Sequence, residues 1–352
     1  MENLKYIPYF IIGTMMVLSS CNKEYIYRIG EEDVYEPTDT IVYIEYYAEL
    51  AEGRVITQSS LPDISSAFDP LGICVSGDSL YVANWPARTI ELFDIRSLEH
   101  LATLVDKSNS TPLNSRDVCV SDSLLLVPGI NPSQVSVYNR FTGTYLCRLG
   151  NGSWAGALTH ANSIAADRHF VYVRDQSENI KVFRISDIHT ASNNQANLDA
   201  AYRLPVPGAV WNSDDYDMLA LDNKLYAVNN QDKTLYVYVY DPFNDDFISY
   251  TYSYENGATP YGITASSEYV FVSTQGNVSA IYGYILNSFV DTPQLDEPLF
   301  AIPYKNKTYN GQPLENIHFM AAKGDSLFIR QNNRILQMNI KERHFDLISP
   351  EV

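Results

Sequence analysis

Six times along the chain, three apolar runs of strand length follow one another, separated by short polar turns. The opening runs are GICVSGD from Gly72, DVCVSD from Asp117, SIAADR from Ser163, MLALDN from Met218, GITASSE from Gly262 and FMAAKGD from Phe319. The second runs read LYVAN, LLLVPG, FVYVRD, LYAVNN, YVFVSTQ and LFIRQN. The third read TIELFDI, QVSVYN, IKVFRI, LYVYVYD, IYGYIL and ILQMNI. Weaker fourth runs complete each set: HLATLVD, GTYLCRLG, AAYRLPV, FISYTYSY, EPLFAIPY and, at the end, HFDLISP. Strand-type alternation persists from about residue 40 to the carboxyl terminus, with no helical period.

Anchoring the columns on Ile73, Val118, Ile164, Leu219, Ile263 and Met320 gives successive spacings of 45, 46, 55, 44 and 57 residues. Four strands per 40–50 residues is the period of a propeller blade. The pattern therefore predicts an all-β chain, a six-bladed β-propeller of four-stranded antiparallel blades. Loop insertions at His189 to Asn197 and Pro303 to Asn316 account for the two longer gaps. Radial closure removes exposed sheet edges. TIVYIEYYAEL and RVITQSS, within residues 40–60, precede the first complete blade, and at least one of them is expected to latch the ring onto the last blade. A separate hairpin is the alternative.

The runs LYVANWPARTIELFD at Leu80–Asp94, VSVYNRFTGTYLCRLG at Val135–Gly150 and IKVFRISD at Ile180–Asp187 resemble six-bladed propellers of the NHL, LVIVD and SMP-30-like group. Enzymes, scaffolds and binding proteins share that fold, so the resemblance implies an architecture and no activity.

Composition narrows the function. The formal net charge of −18 offers no basic stripe for phosphates, which excludes nucleic acid as a partner. Tyr supplies 27 of 352 residues and suits strands packed on one side and wet on the other.

The amino terminus is read as an address. Lys5, the apolar run from Ile7 to Val17 and then Leu18-Ser19-Ser20-Cys21 resemble the signal peptide and lipobox of bacterial lipoproteins. The resemblance implies cleavage before Cys21, lipidation of its thiol and membrane anchoring through several acyl chains. Asn22-Lys23-Glu24 lacks the Asp associated with inner-membrane retention, which favours the outer membrane of a Gram-negative bacterium. Lys23-Glu24 with Glu31-Glu32-Asp33 partly resembles the surface-export signal of Bacteroidota, which points to the cell surface. The organisation is a signal peptide at 1–20, a tether at 21–39 and the propeller with its latch at 40–352. Asp39-Thr40-Ile41 resembles a Bacteroidota O-glycosylation signal, making Thr40 a candidate. Asp78-Ser79-Leu80, Asp122-Ser123-Leu124 and Asp325-Ser326-Leu327 match it too, but Asp and Ser also favour turns at those places.

In the resembled fold, loops entering the first strands and loops leaving the second strands rim the binding face. That places Asn84, Trp85, Arg88, Arg116, Trp154, His160, Asp175, Trp211, Asn212, Asp215, Asn229, Gln275, His318 and Arg330 on one face as candidate ligand-binding residues. Aromatic faces beside amides and carboxylates suit sugars, whose rings offer a C–H face and hydroxyls. The function read from this is noncatalytic binding of a glycan or other extracellular ligand. Docking of an outer-membrane protein is an alternative.

A metal-dependent lactonase of SMP-30-like type is the other alternative, with Asn84, Asp175 and Asn229 as its ligands. The Glu that such a site needs at the first blade is missing. His160 and His318 lie two blades or more apart, and no nucleophile motif is present, so neither a cofactor nor a metal is assigned. Cys74 and Cys119 occupy equivalent slots and read as small buried hydrophobes, with a disulfide or metal site as the less favoured role.

Overall fold

The computed structural model describes residues 24–26, 41–63, 67–85, 87–104, 115–130, 133–150, 157–175, 179–192, 197–206, 217–253, 258–276, 279–291, 293, 298–304, 308–309, 312–314 and 317–347. Six antiparallel sheets form a closed six-bladed propeller. Blade 1 comprises Pro70–Ser76, Ser79–Asn84, Thr89–Asp94 and His100–Leu104. Blade 2 comprises Cys119–Ser121, Leu124–Ile130, Ser133–Asn139 and Tyr145–Leu149; blade 3 comprises Ala161–Ala166, Phe170–Asp175, Asn179–Arg184 and Tyr202–Pro205. Blade 4 is Met218–Leu221, Lys224–Asn229, Thr234–Asp241 and Asp246–Ser253, and blade 5 is Thr259–Ala265, Tyr269–Gln275, Ala280–Ile285 and Phe300–Pro303.

Blade 6 is assembled from both ends of the chain. Met320–Lys323, Ser326–Gln331 and Arg334–Leu347 are its first three strands, and Ile41–Ile56 is the fourth. Ile41–Leu50 of the run TIVYIEYYAEL and Arg54–Ile56 of RVITQSS belong to this one long strand, with a bulge between Leu50 and Val55, and Gln58–Ser60 form a 3-10 turn after it. The predicted sixth fourth strand, HFDLISP, is corrected: its residues 344–347 extend the third strand and pair with Ile41–Ile44. Alternation cannot separate a new strand from a longer one when no turn residue intervenes. Glu24–Ile26 adds a fifth strand outside the latch.

The insertions also differ from expectation. Ile185–Ser192 and Leu286–Asp291 are short helices between third and fourth strands of blades 3 and 5. They are too short to register a helical period. Asn197–Leu198 then pairs in parallel with the outer strand of blade 2, and Thr308–Tyr309 with Gln312–Pro313 makes a small hairpin.

Among the described residues the core is divided into six clusters, one at each blade interface. Second strands are buried on both sides, so they read as continuous apolar runs rather than alternating ones. In blade 1, Leu80 and Val82 face blade 6, with Phe328 and Ile335, whereas Tyr81 and Ala83 face blade 2, with Val118 and Leu125. Ile56 and Phe68 complete the blade 6–blade 1 cluster, so the closing seam is packed like its neighbours.

Polar bonds also fasten each interface. Arg140 of blade 2 donates to Ser76 Oγ of blade 1, and Asp117 of blade 2 accepts from Ile164 N of blade 3 at 2.9 Å. Tyr238 of blade 4 donates to Pro205 O of blade 3 at 2.6 Å, and Asp217 of blade 4 accepts from Ile263 N of blade 5 at 3.0 Å. Ser273 Oγ of blade 5 donates to Ile317 O at the entry to blade 6 at 2.6 Å. Arg330 Nε of blade 6 closes the circle by donating to Pro70 O of blade 1 at 2.8 Å.

Close approach at the axis requires glycine at two of these places. A Cβ on Gly72 would sit 2.2 Å from Asp117 Oδ1, and one on Gly262 would sit 2.2 Å from His318 O.

Asp217 also corrects the register of blade 4. Met218 pairs with Ala227 as Ile164 pairs with Val173, so Met218, not Leu219, occupies the anchor column. The run MLAL is apolar at every position and gives alternation nothing to read.

Ile56 is fully buried at the closing seam. Ile56→Ala is expected to destabilise the ring by about 2–4 kcal/mol, the range for truncating a buried Ile, read as a lower urea midpoint at unchanged slope. A change well under 1 kcal/mol would show that the seam is not part of the cooperative core.

Candidate functional site: the loop face and the central cavity

The loop face is built where second strands end and first strands begin. Three of the predicted residues stand in the same column there, and all three hold loops. Asn84 Oδ1 accepts from Asp69 N at 3.0 Å and its Nδ2 donates to Ala67 O at 3.1 Å. Asp175 Oδ1 accepts from Thr159 N, Thr159 Oγ1 and His160 N at 2.7–2.8 Å, while its Oδ2 pairs with buried Lys181 at 2.8 Å. Asn229 Oδ1 accepts from Gln231 N at 2.9 Å and its Nδ2 donates to Asp232 Oδ2 at 2.9 Å. Each of the three is no more than 2 % exposed. A polar side chain at a strand end satisfies loop amides that would otherwise be buried without partners. The atoms that a lactonase metal would require are those already committed to the loops.

Of the remaining described candidates, Trp85, Arg116, Gln275, His318 and Arg330 are half-buried and Arg88 is exposed, and these six fall into one arc across blades 5, 6, 1 and 2. Arg116, at the entry to blade 2, lies over the Trp85 ring of blade 1 at 5.6 Å. Arg88 turns the chain beside it in a left-handed conformation, φ 56°, and donates its N–H to Trp85 O. On the other side of the closing seam, Tyr261 and His318 meet edge to face at 4.7 Å. Between these two aromatic positions stands Arg330, 3.7 Å from the Asp69 carboxylate. Gln275 lies at the end of the second strand of blade 5, and its Nε2 is buried with no hydrogen-bond partner among the described residues. His160 belongs to the blade 3 entry, away from this arc, so the structure does not bring it to His318. Cys21, Thr40, Trp154, Trp211, Asn212 and Asp215 lie outside the described residues.

First strands of all six blades surround a central cavity of about 180 Å³. Its wall is mostly aliphatic, with Asp117, Asp217, Cys74 and Cys119 as the ionisable groups. Sequence reading placed Asp117 only within an entry loop and passed over Asp217. The available signal was an Asp immediately before an apolar first strand, twice, in alternate blades. In both, one carboxylate oxygen accepts from the next residue (Val118 N at 2.8 Å, Met218 N at 2.9 Å) and the other from the following blade.

Burial pushes the Asp117 carboxyl up to about 7, against the lowering effect of the Ile164 and Val118 amides. Burial, reinforced by the charge of Asp117, holds Asp217 well above the usual carboxylate range. Among the described residues, no three His, Cys, Asp or Glu side chains converge as a metal site.

No protein-family model matches the chain, and no curated protein matches it. Solved structures do. The WD40 repeats of RRP9 align with a TM-score of 0.54 at 10% identity, over 83% of this chain and 99% of that one. Hydrazine synthase of Kuenenia stuttgartiensis aligns with a TM-score of 0.46 at 13% identity, over 74% and 73% of the two chains. The computationally designed Ika8 protein aligns with a TM-score of 0.43 at 14% identity, over 77% and 70%. The likeness to the WD40 repeats is one of fold. The chain is a six-bladed β-propeller.

The Asp117 carboxyl titrates higher in the fold, at about 7, than its unfolded value of about 4. Its contribution to stability is therefore full below about pH 4 and is lost as pH rises through about 7, by up to about 4 kcal/mol. Thermal midpoints are expected to fall from pH 5 to pH 8. Self-repulsion of the acidic surface adds a slope of the same sign, so the diagnostic is the difference from Asp117→Asn, which should show a flatter dependence. Parallel curves for the two proteins would refute the assignment to Asp117.

Proposed function

We propose that the protein is a lipid-anchored propeller at the outer membrane that binds an extracellular glycan on its loop face without catalysing a reaction. One observation carries the binding part. Two half-buried aromatic positions, Trp85 under Arg116 and Tyr261 against His318, flank the closing seam on the same rim. Sugar rings stack on such faces, and Arg, Gln and His edges beside them accept or donate to hydroxyls. The committed loop-holding bonds of Asn84, Asp175 and Asn229 support a rigid rim, which limits the ordering cost of binding. The sequence from Leu18 to Cys21 supports the anchor.

Docking of a protein partner is the second reading, and the outer strand of blade 4 favours it. Ile248, Tyr250 and the neighbouring Phe243 are 48%, 48% and 97% exposed there. Large apolar side chains left open on an edge strand are uncommon on a freely soluble surface.

On a glycan array, the lipid-free protein carrying Cys21→Ser is expected to bind one polysaccharide class. Adding Trp85→Ala should weaken that binding by about tenfold or more, the loss of one stacking contact. Silence across the array would move the weight to protein docking. Separately, growth with an alkyne-tagged fatty acid should label the wild-type protein in the membrane fraction, and Cys21→Ser should abolish both label and membrane retention. Persistent labelling of the variant would eliminate Cys21 as the anchor.

A further inference from the structure

The charge of the protein is divided between the two faces of the ring. Turns joining first to second strands lie on the face opposite the loops, because each second strand runs from one face to the other. All six of these turns carry an acid: Asp78, Asp122, Asp167, Asp222, Glu268 and Asp325. Asp78 is paired with Arg96 and Lys323. On the loop face, the turns joining second to third strands hold one acid among the described residues, Asp232, which is bonded to Asn229 and Tyr236.

The arc beside the closing seam has the reverse charge. Arg88, Arg116 and Arg330 stand there, and Arg334 opens the third strand of blade 6 at the same end, opposite Gln331. The entry to blade 1 supplies two acids, Asp63 and Asp69, the latter against Arg330. Four guanidinium groups against two carboxylates leave a local excess of cations on a chain whose formal net charge is −18. Second strands of six or seven residues hold the two faces about 20 Å apart, and charge is screened over about 10 Å at 0.1 M salt. The acidic ring therefore does not cancel the field of the arc.

We propose that the loop-face ligand is an anionic polysaccharide, with carboxylate or sulfate groups spaced along its sugar rings. The proposal rests on the glycan reading above and adds the charge of the ligand to it. Arg116 lies over the Trp85 ring at 5.6 Å, so one sugar unit can meet a stacking face and a cation together. Guanidinium forks match carboxylate and sulfate oxygens in pairs. The small cation excess suits a chain with about one charge per sugar, and not the dense phosphates of nucleic acid. The six acids behind repel the same chain, so it approaches the protein from the loop face only.

The test uses the lipid-free protein carrying Cys21→Ser, with polygalacturonate beside its methyl ester and dextran sulfate beside dextran. At least one acidic chain should bind about tenfold or more tightly than its uncharged counterpart, and which one names the acid group. Raising sodium chloride from about 50 to about 500 mM should weaken that binding severalfold. Arg88→Gln and Arg116→Gln should each weaken it by about two- to fivefold, whereas Asp122→Asn on the opposite face should leave it unchanged. Equal or tighter binding of an uncharged counterpart, or only neutral hits on the glycan array, would overturn the proposal and leave the glycan reading standing. Silence on the array and on all four chains would overturn both. Polyglutamate binding as tightly as the acidic glycans would reduce the effect to bare charge and would also sink the proposal.

Discussion

Everything in this molecule depends on the lateral packing of one blade against the next. A single four-stranded blade leaves both sheet faces apolar, as the fully buried second strands show, and no blade could persist in water alone. Six copies solve this only if the first meets the last. The ladder between Ile41–Ile56 and Arg334–Leu347 therefore holds the blade 6–blade 1 cluster in place, and through it the remaining five.

The polar residues near the axis follow from the same constraint. First strands converge at the centre, where backbone amides of neighbouring blades come close and water is scarce. Asp117 and Asp217 bridge adjacent blades by accepting from both, and Gly72 and Gly262 give the neighbouring blades room to approach. The result is a cavity whose ionisable groups are defined by the requirements of assembly. The rim, where blades diverge, is free of that requirement and carries the exposed aromatic edges.

The blades could be read from sequence because period-two alternation and Asp, Asn and Gly turns agree at most positions. Failures occurred where that signal was silent. MLAL is uniformly apolar, so Met218 and Leu219 could not be told apart until Asp217 was seen bonded like Asp117. HFDLISP has the composition of a fourth strand, but the competing partner, Ile41–Ile56, lies at the other end of the chain. For the site, residue type located the strand ends correctly, and it could not reveal which way each side chain turns. Asn84, Asp175 and Asn229 turn inward to loop amides, whereas Trp85 and His318 remain at the rim.

The composite sixth blade has a consequence for timing. A ribosome makes Ile41–Ile56 before the five blades that separate it from its partner Arg334–Leu347, so the latch strand waits with open backbone groups while those blades are produced. Contacts this distant in sequence make for slow folding, and an unpaired strand edge is then the natural point of capture by a chaperone or of misassociation between chains. Loss of Ile41–Ile56 or of Arg334–Leu347 would strike the same blade, so two lesions far apart in sequence would leave one and the same broken ring.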